Sequence, residues 1–166
     1  MEMHITSPKY GTHIIYFDIE DWDKIKGYSW HVHKSRKRFY ARTNITIGKR
    51  KQKKIQMHRL LLDCPADMQV DHENMNGMDN RKSNLRICTP DQNAQHRDIS
   101  IANKSGYKGV HFESGRRKCR ASIRENKKQK SLGYFDSPID AAKAYNEAAI
   151  KYYGKFAKLN IIKEQS

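Results

Sequence analysis

The sequence predicts an α+β chain: β-ribbons first, then a strand–loop–strand–helix finger, then a three-stranded antiparallel sheet packed on one helix. Three observations carry this prediction. Cys119, Ala121 and Ile123 alternate with Arg120, Ser122 and Arg124, giving a strand with one apolar and one basic face. Two short runs, 68–72 and 85–88, flank a loop that holds Asn76-Gly77. Two helix starts are spelled out, Thr89-Pro90-Asp91-Gln92 and Ser137-Pro138-Ile139-Asp140, each a hydroxyl cap followed by proline at the first helical position.

Taken in order, residues 1–54 read as strands. Ile14, Ile15 and Phe17 form one apolar run, and Trp30, Val32, Phe39, Tyr40 and Ile45 follow. Basic turns at 34–38 and 48–54 read as ribbon tips suited to phosphate contact. Residues 58–62 predict a short helix. The finger occupies 55–100: strand 68–72, an Asn-rich loop, strand 85–88, and a helix whose Thr89 and Gln92 make a capping box. Residues 101–105 are polar and read as a linker. In 106–163, Ala141, Tyr145, Ala148 and Tyr152 form the apolar stripe of a helix that Gly154 ends. Two domains are expected, 1–100 and 106–166.

The chain has 166 residues, of which 37% are hydrophobic and 31% charged, too polar for one deep core. Lys and Arg number 33 against 18 acids, a net charge of +15, which points to a polyanionic partner. The cysteines, Cys64, Cys88 and Cys119, form no Cys-x-x-Cys pair, which removes a zinc knuckle and a disulfide framework. Residues 1–10 have no apolar core of signal-peptide length, and no stretch approaches the ~20 apolar residues of a membrane span. The expectation is a soluble, cytoplasmic protein with no membrane contact.

Asp71-His72 places a carboxylate beside an imidazole. Hydrolysis of a phosphodiester needs an activated water and a neutralised leaving oxygen, and one histidine with one metal ion suffices. Asn84 follows in the second strand's approach and Asn93 on the predicted helix. Carboxylate and amide oxygens are hard donors, which favour magnesium or manganese.

At these positions the sequence resembles a known family. Val70-Asp71-His72, Asn84-Leu85-Arg86 and Asn93 resemble the His-Asn-His (HNH) nuclease motif, the ββα-metal finger. His58-Arg59-Leu60 resembles the helix upstream of it in the phage and intron-encoded branch. The resemblance implies His72 as general base, Asn84 as the residue that pins the loop and orients it, and Asp71 and Asn93 as metal ligands. Asparagine stands at 93 where the family's motif has histidine. Arg97, one turn on, is a candidate phosphate clamp, with His58 and His96 as second-tier candidates.

A second resemblance covers 106–160. Tyr107-Lys108-Gly109-Val110, Ala121-Ser122-Ile123-Arg124, Leu132-Gly133-Tyr134-Phe135-Asp136, Ala141-Ala142-Lys143-Ala144-Tyr145 and Asn160 are similar to the plant ethylene-response-factor DNA-binding domain, of the APETALA type. It implies a sheet laid in the DNA major groove, with Lys108, His111, Arg120, Arg124, Gln129 and Ser131 as contacts. Together the two resemblances imply a homing endonuclease that cuts double-stranded DNA. It would leave a 5′-phosphate and a 3′-hydroxyl and use no small-molecule cofactor. A monomer is favoured and a dimer possible, working in a bacterium or phage-infected host. The alternatives are a non-catalytic DNA-binding regulator on a nuclease-like scaffold and an HNH restriction enzyme.

Overall fold

Strands β1 (Glu2–Ser7) and β2 (Gly11–Tyr16) pair antiparallel and begin the chain as a hairpin. The structure, a computed structural model, describes residues 1–48, 51–113 and 118–162. Its strands and helices alternate among several small sheets, an α+β fold. Two compact units divide the chain, Met1–Pro90 and Asp91–Ser166. The division falls at Pro90 rather than at 101–105. One reason is that the segment after Pro90 is tied forward: the Lys108 ammonium donates to the carbonyls of Gln95 and Arg97.

In the first unit, β3 (His31–Ser35), β4 (Arg38–Thr46) and β5 (Gln52–Gln56) form an antiparallel meander. Of the basic turn expected at 48–54, Gln52, Lys53 and Lys54 belong to β5, where they pair with β4. Lys49 and Arg50 of that turn lie outside the described residues. The segment read as all strand also contains a short 3-10 turn, Ile19–Asp21, and one turn of helix, α1 (Trp22–Ile25). Its Ile25 is fully buried and Trp22 stacks on Phe17 with ring centroids 6.0 Å apart. A single turn is too short to show a helical period, so burial of Ile25 decides its conformation.

Helix α2 (Met57–Leu61) continues directly from β5, and the Arg59 guanidinium spans the loop after it, donating to the carbonyls of Met68, Cys64 and Pro65 at 2.8, 3.2 and 2.7 Å. Then come β6 (Gln69–His72) and β7 (Leu85–Cys88), a two-stranded antiparallel pair. One core joins all of this: Ile15, Phe17, Ile25, Met57, Leu61 and, from the loop between β6 and β7, Met78. The finger therefore shares its hydrophobic support with the ribbons.

The second unit opens with most of α3 (Pro90–Gln95). Strands β8 (Val110–Phe112), β9 (Cys119–Glu125) and β10 (Lys128–Phe135) form an antiparallel sheet backed by α4 (Pro138–Tyr153). Ser137 caps α4, its hydroxyl accepting from Ile139 N–H at 3.1 Å, and Gly154 ends it at φ 51°. Ala141, Ala142, Tyr145, Ala148 and Ala149 are its buried face, and the four alanines are small enough to let the helix lie close on the sheet. The Asn160 side chain clasps the unit. Its Oδ1 accepts from Lys108 N–H at 2.6 Å and its Nδ2 donates to Lys108 O at 3.0 Å, while Asn146 exchanges the same two bonds with the Asn160 backbone at 2.7 and 2.9 Å. The cysteines are free thiols. Among the described residues no helix is long and apolar enough to cross a membrane.

Candidate active site

Asp71 and His72 close β6, and alternation sends them to opposite faces of the two-stranded pair. Both are buried, 3% and 5% exposed, which is unusual for such polar groups unless something holds them. Asp71 lies directly across from Arg86 in the β6–β7 register. Arg86 Nε donates to Asp71 Oδ2 at 2.8 Å, and its Nη2 stands 2.7 Å from the same oxygen. Arg86 Nη1 donates to Glu73 Oε1 at 3.0 Å.

On the other face, the His72 ring meets the rings of His58 and Tyr40. The His58–His72 centroids are 4.8 Å apart at 89°, edge to face, and Tyr40 stands 5.8 Å from His58 and 5.9 Å from His72. Burial lowers the His72 pKa to about 4, partly opposed by the Asn80 side chain and the charges of Asp71 and Asp79. Burial, with His72 and Arg59 adding to it, holds His58 well below the usual range. Both rings are therefore neutral at pH 7, and His72 Nε2 has no hydrogen-bond partner among the described residues. A neutral imidazole is the protonation state that a proton acceptor requires.

These shifts carry a stability prediction. Unfolded histidine titrates near 6.5, above both folded values. Unfolding therefore takes up protons below pH 6.5, and stability is lost as pH falls from there towards the folded values. Each ring contributes up to about 1.4 kcal/mol per pH unit in that window. Urea midpoints of the His58→Phe protein should fall less steeply than wild type between pH 6.5 and 4.5. Parallel slopes would mean that His58 is already charged in the fold.

Asn84 pins the loop between the strands. Its Oδ1 accepts from Asn74 N–H at 2.9 Å, its Nδ2 donates to Asp79 O at 2.8 Å, and its carbonyl accepts from Glu73 N–H at 2.9 Å. Asp79 is the loop's second anchor. It accepts from Asn74 Nδ2 at 2.8 Å and from Arg81 Nε and Nη2 at 2.7 and 2.6 Å, and Arg81 lowers its pKa. The loop also joins the ribbons: Asn80 N–H donates to Tyr16 O at 2.7 Å and Tyr16 N–H to Met78 O at 2.9 Å. Gly77 lies so close to β4 that a Cβ there would sit 2.4 Å from Phe39 O and 2.5 Å from the Tyr40 ring. The loop, Tyr40 and His72 are thus held as one assembly.

Asp71 offers the carboxylate oxygen that hard divalent cations take. Among the described residues no three of His, Cys, Asp and Glu stand together as a cage. A cation at Asp71 would lean on few side chains and keep water or phosphate oxygens, as magnesium does. Asn93 is half-buried on α3, in the second unit. His96 and Arg97, expected to continue that helix, lie beyond its last residue, Gln95. The last turn tightens, Arg97 N–H reaching Ala94 O at 3.4 Å, and leaves His96 buried and Arg97 exposed.

In the second unit the β8–β9–β10 register sets His111, Arg120 and Tyr134 side by side, then Ser122 with Ser131, then Arg124 with Gln129. Residues directly opposite share a face, so these make one polar surface. Ser122, expected to be open on it, is buried at 3% because Gln129 Nε2 folds over and donates to its Oγ at 2.7 Å. Lys108 is also not a free surface cation. Burial lowers its pKa to about 8, and its ammonium is taken up by the two carbonyls named above.

Sequence reasoning missed the roles of Arg86, Asp79, Asn80 and Tyr40. Arg86 stood inside the quoted motif, and pairing 85–88 against 69–72 would have set it opposite Asp71. Tyr40 gave no such signal.

No family model matches the chain, and no solved structure matches it. A protein of Acanthamoeba polyphaga mimivirus named as an uncharacterized HNH endonuclease is similar to it, at 28% identity over 153 residues, covering 89% of this chain and 74% of that one.

Proposed function

We propose that this chain is a metal-dependent DNA endonuclease of the HNH type, with His72 as its general base. The observation that carries the reading is the neutral His72 ring beside Asp71, at the base of a loop that Asn84 pins. The similar mimivirus protein named as an HNH endonuclease supports it. In this reading the His72 imidazole takes a proton from the attacking water as its oxygen bonds to phosphorus, the bond to the 3′ oxygen breaks, and that oxygen takes up a proton from solvent water. The ends are a 5′-phosphate and a 3′-hydroxyl. Magnesium or manganese, held by Asp71 and, on motif spacing, by Asn93, would supply neutralising charge at the leaving oxygen.

The path of the DNA follows from the β3–β4–β5 sheet. Opposite residues put His31, His33, Arg38, Tyr40, Arg42 and Lys54 on one face. No Asp or Glu occurs between Asp23 and Asp63. Partial burial, Arg42, Lys54 and His31 together lower the His33 pKa, which reflects how closely the positive groups crowd. Tyr40, on this face, abuts His72. A phosphate backbone attracted to this face is led to the base. The polar face of the second unit, with Arg120, Arg124, Gln129, His111 and Ser131, is the proposed reader of sequence, and a monomer that nicks one strand is the proposed working form.

The test is incubation with supercoiled plasmid and with phage and host DNA. Magnesium or manganese should give nicked circles, and excess EDTA should stop cutting completely. Undiminished nicking in chelator would remove the metal-dependent reading. Stable DNA binding without any cutting would favour the regulator.

A further inference from the structure

We infer that Arg86 stands in for the cation on Asp71: the guanidinium and a divalent ion compete for that carboxylate, and the displaced guanidinium becomes a binding group for the DNA phosphate. The inference rests on the reading of Asp71 as a metal ligand.

The geometry is specific. Arg86 Nε donates to Asp71 Oδ2 at 2.8 Å, and Nη2 lies 2.7 Å from the same oxygen as an ion-pair contact. The pair is directly cross-strand, with side chains only 11% and 3% exposed, so water screens it little. The third donor, Nη1, holds Glu73, whose side chain is 59% exposed. Arg86 can therefore release Asp71 and stay anchored by the more exposed carboxylate of Glu73.

Charge gives the direction. Asp71, Glu73 and Arg86 sum to one negative charge. A divalent ion turns that to one positive, and a phosphodiester returns it to neutral. Metal and phosphate should each favour the other, and linkage makes that help reciprocal. A planar guanidinium is also well matched to phosphate oxygens. The competing account is that Arg86 merely orients Asp71, and it predicts the opposite sign for metal binding.

The experiment is Mn2+ binding to the full chain without DNA, read by electron paramagnetic resonance, for wild type, Arg86→Met and Asp71→Asn. Methionine keeps much of the stem and removes the charge. Arg86→Met should bind Mn2+ roughly tenfold or more tightly than wild type, the scale of lost hydrogen bonds to a charged group. Asp71→Asn should bind weakest. On wild-type protein, Mg2+ should shift the Arg86 Nε–H resonance, a readout that does not depend on the variant's folding. Equal or weaker Mn2+ binding by a folded Arg86→Met, or an Nε–H signal unmoved by saturating Mg2+, overturns the inference while leaving the metal site in place. If neither wild type nor Arg86→Met binds Mn2+ any better than Asp71→Asn, the metal-site reading fails and this inference with it.

Discussion

His72→Ala is expected to slow cleavage by roughly two to four orders of magnitude, the scale of a removed general base, and to leave DNA affinity within about twofold. The two effects separate for a physical reason. His72 is neutral at pH 7 and contributes no net charge to phosphate binding. The basic face of the β3–β4–β5 sheet does not depend on it. Single-turnover cleavage and filter binding on one labelled duplex would measure both quantities. Circular dichroism is needed alongside, because a buried ring is lost. His72→Gln supplies a variant with a smaller cavity. A folded His72→Ala protein that nicks at near-native rate would place the base elsewhere, and His58, whose ring already lies against His72, would be the next to replace.

Gly109→Ala should strongly destabilise the second unit. A Cβ at Gly109 would lie 2.0 Å from the Tyr145 ring and 2.8 Å from Ser122 O, on a backbone held at φ +78°. Tyr145 is 3% exposed and cannot swing away. Overpacking of this kind costs about 1–3 kcal/mol, and the left-handed backbone adds about 1–2 kcal/mol. Against the ~5–15 kcal/mol of a typical domain, that is a large fraction. The melting transition of the isolated 91–166 fragment should drop by more than about 10 °C. In the full chain the same change should weaken and broaden DNA binding, and it should lower metal-dependent nicking only as far as Asn93, which belongs to the second unit, helps Asp71 to hold the metal. Full sequence preference in a Gly109→Ala chain with a melted second unit would show that the reader lies in the ribbons.

Much of the fold was legible because its signals are local. The strand Leu85–Cys88 and the cap and stop of α4 follow from neighbouring residues alone. So does the sheet face carrying Arg120 and Arg124, since alternation needs only the sequence of one strand. What escaped were properties created by residues distant in sequence. His58 and His72 are 14 positions apart, and only the fold sets their rings edge to face. Alternation placed Ser122 correctly on the polar face but could not foresee Gln129 lying over it. The resemblance implies Lys108 as a DNA contact, and its two acceptors, both backbone carbonyls, have no sequence signature. In the candidate site the motif supplied Asp71, His72 and Asn84. The partner of Asp71 required the strand register.

The Asn160 clasp has a genetic consequence. It ties residue 160 to residue 108 through paired amide bonds, so the two ends of the sheet-and-helix body are neighbours. A body whose ends meet asks little of whatever it is spliced to, because its entry and exit points are already together. Recombination could therefore copy it as a cassette, attach it behind a different domain, or insert it in a surface loop without remaking its core. On the proposed function, target choice and cutting chemistry could then evolve on separate timetables.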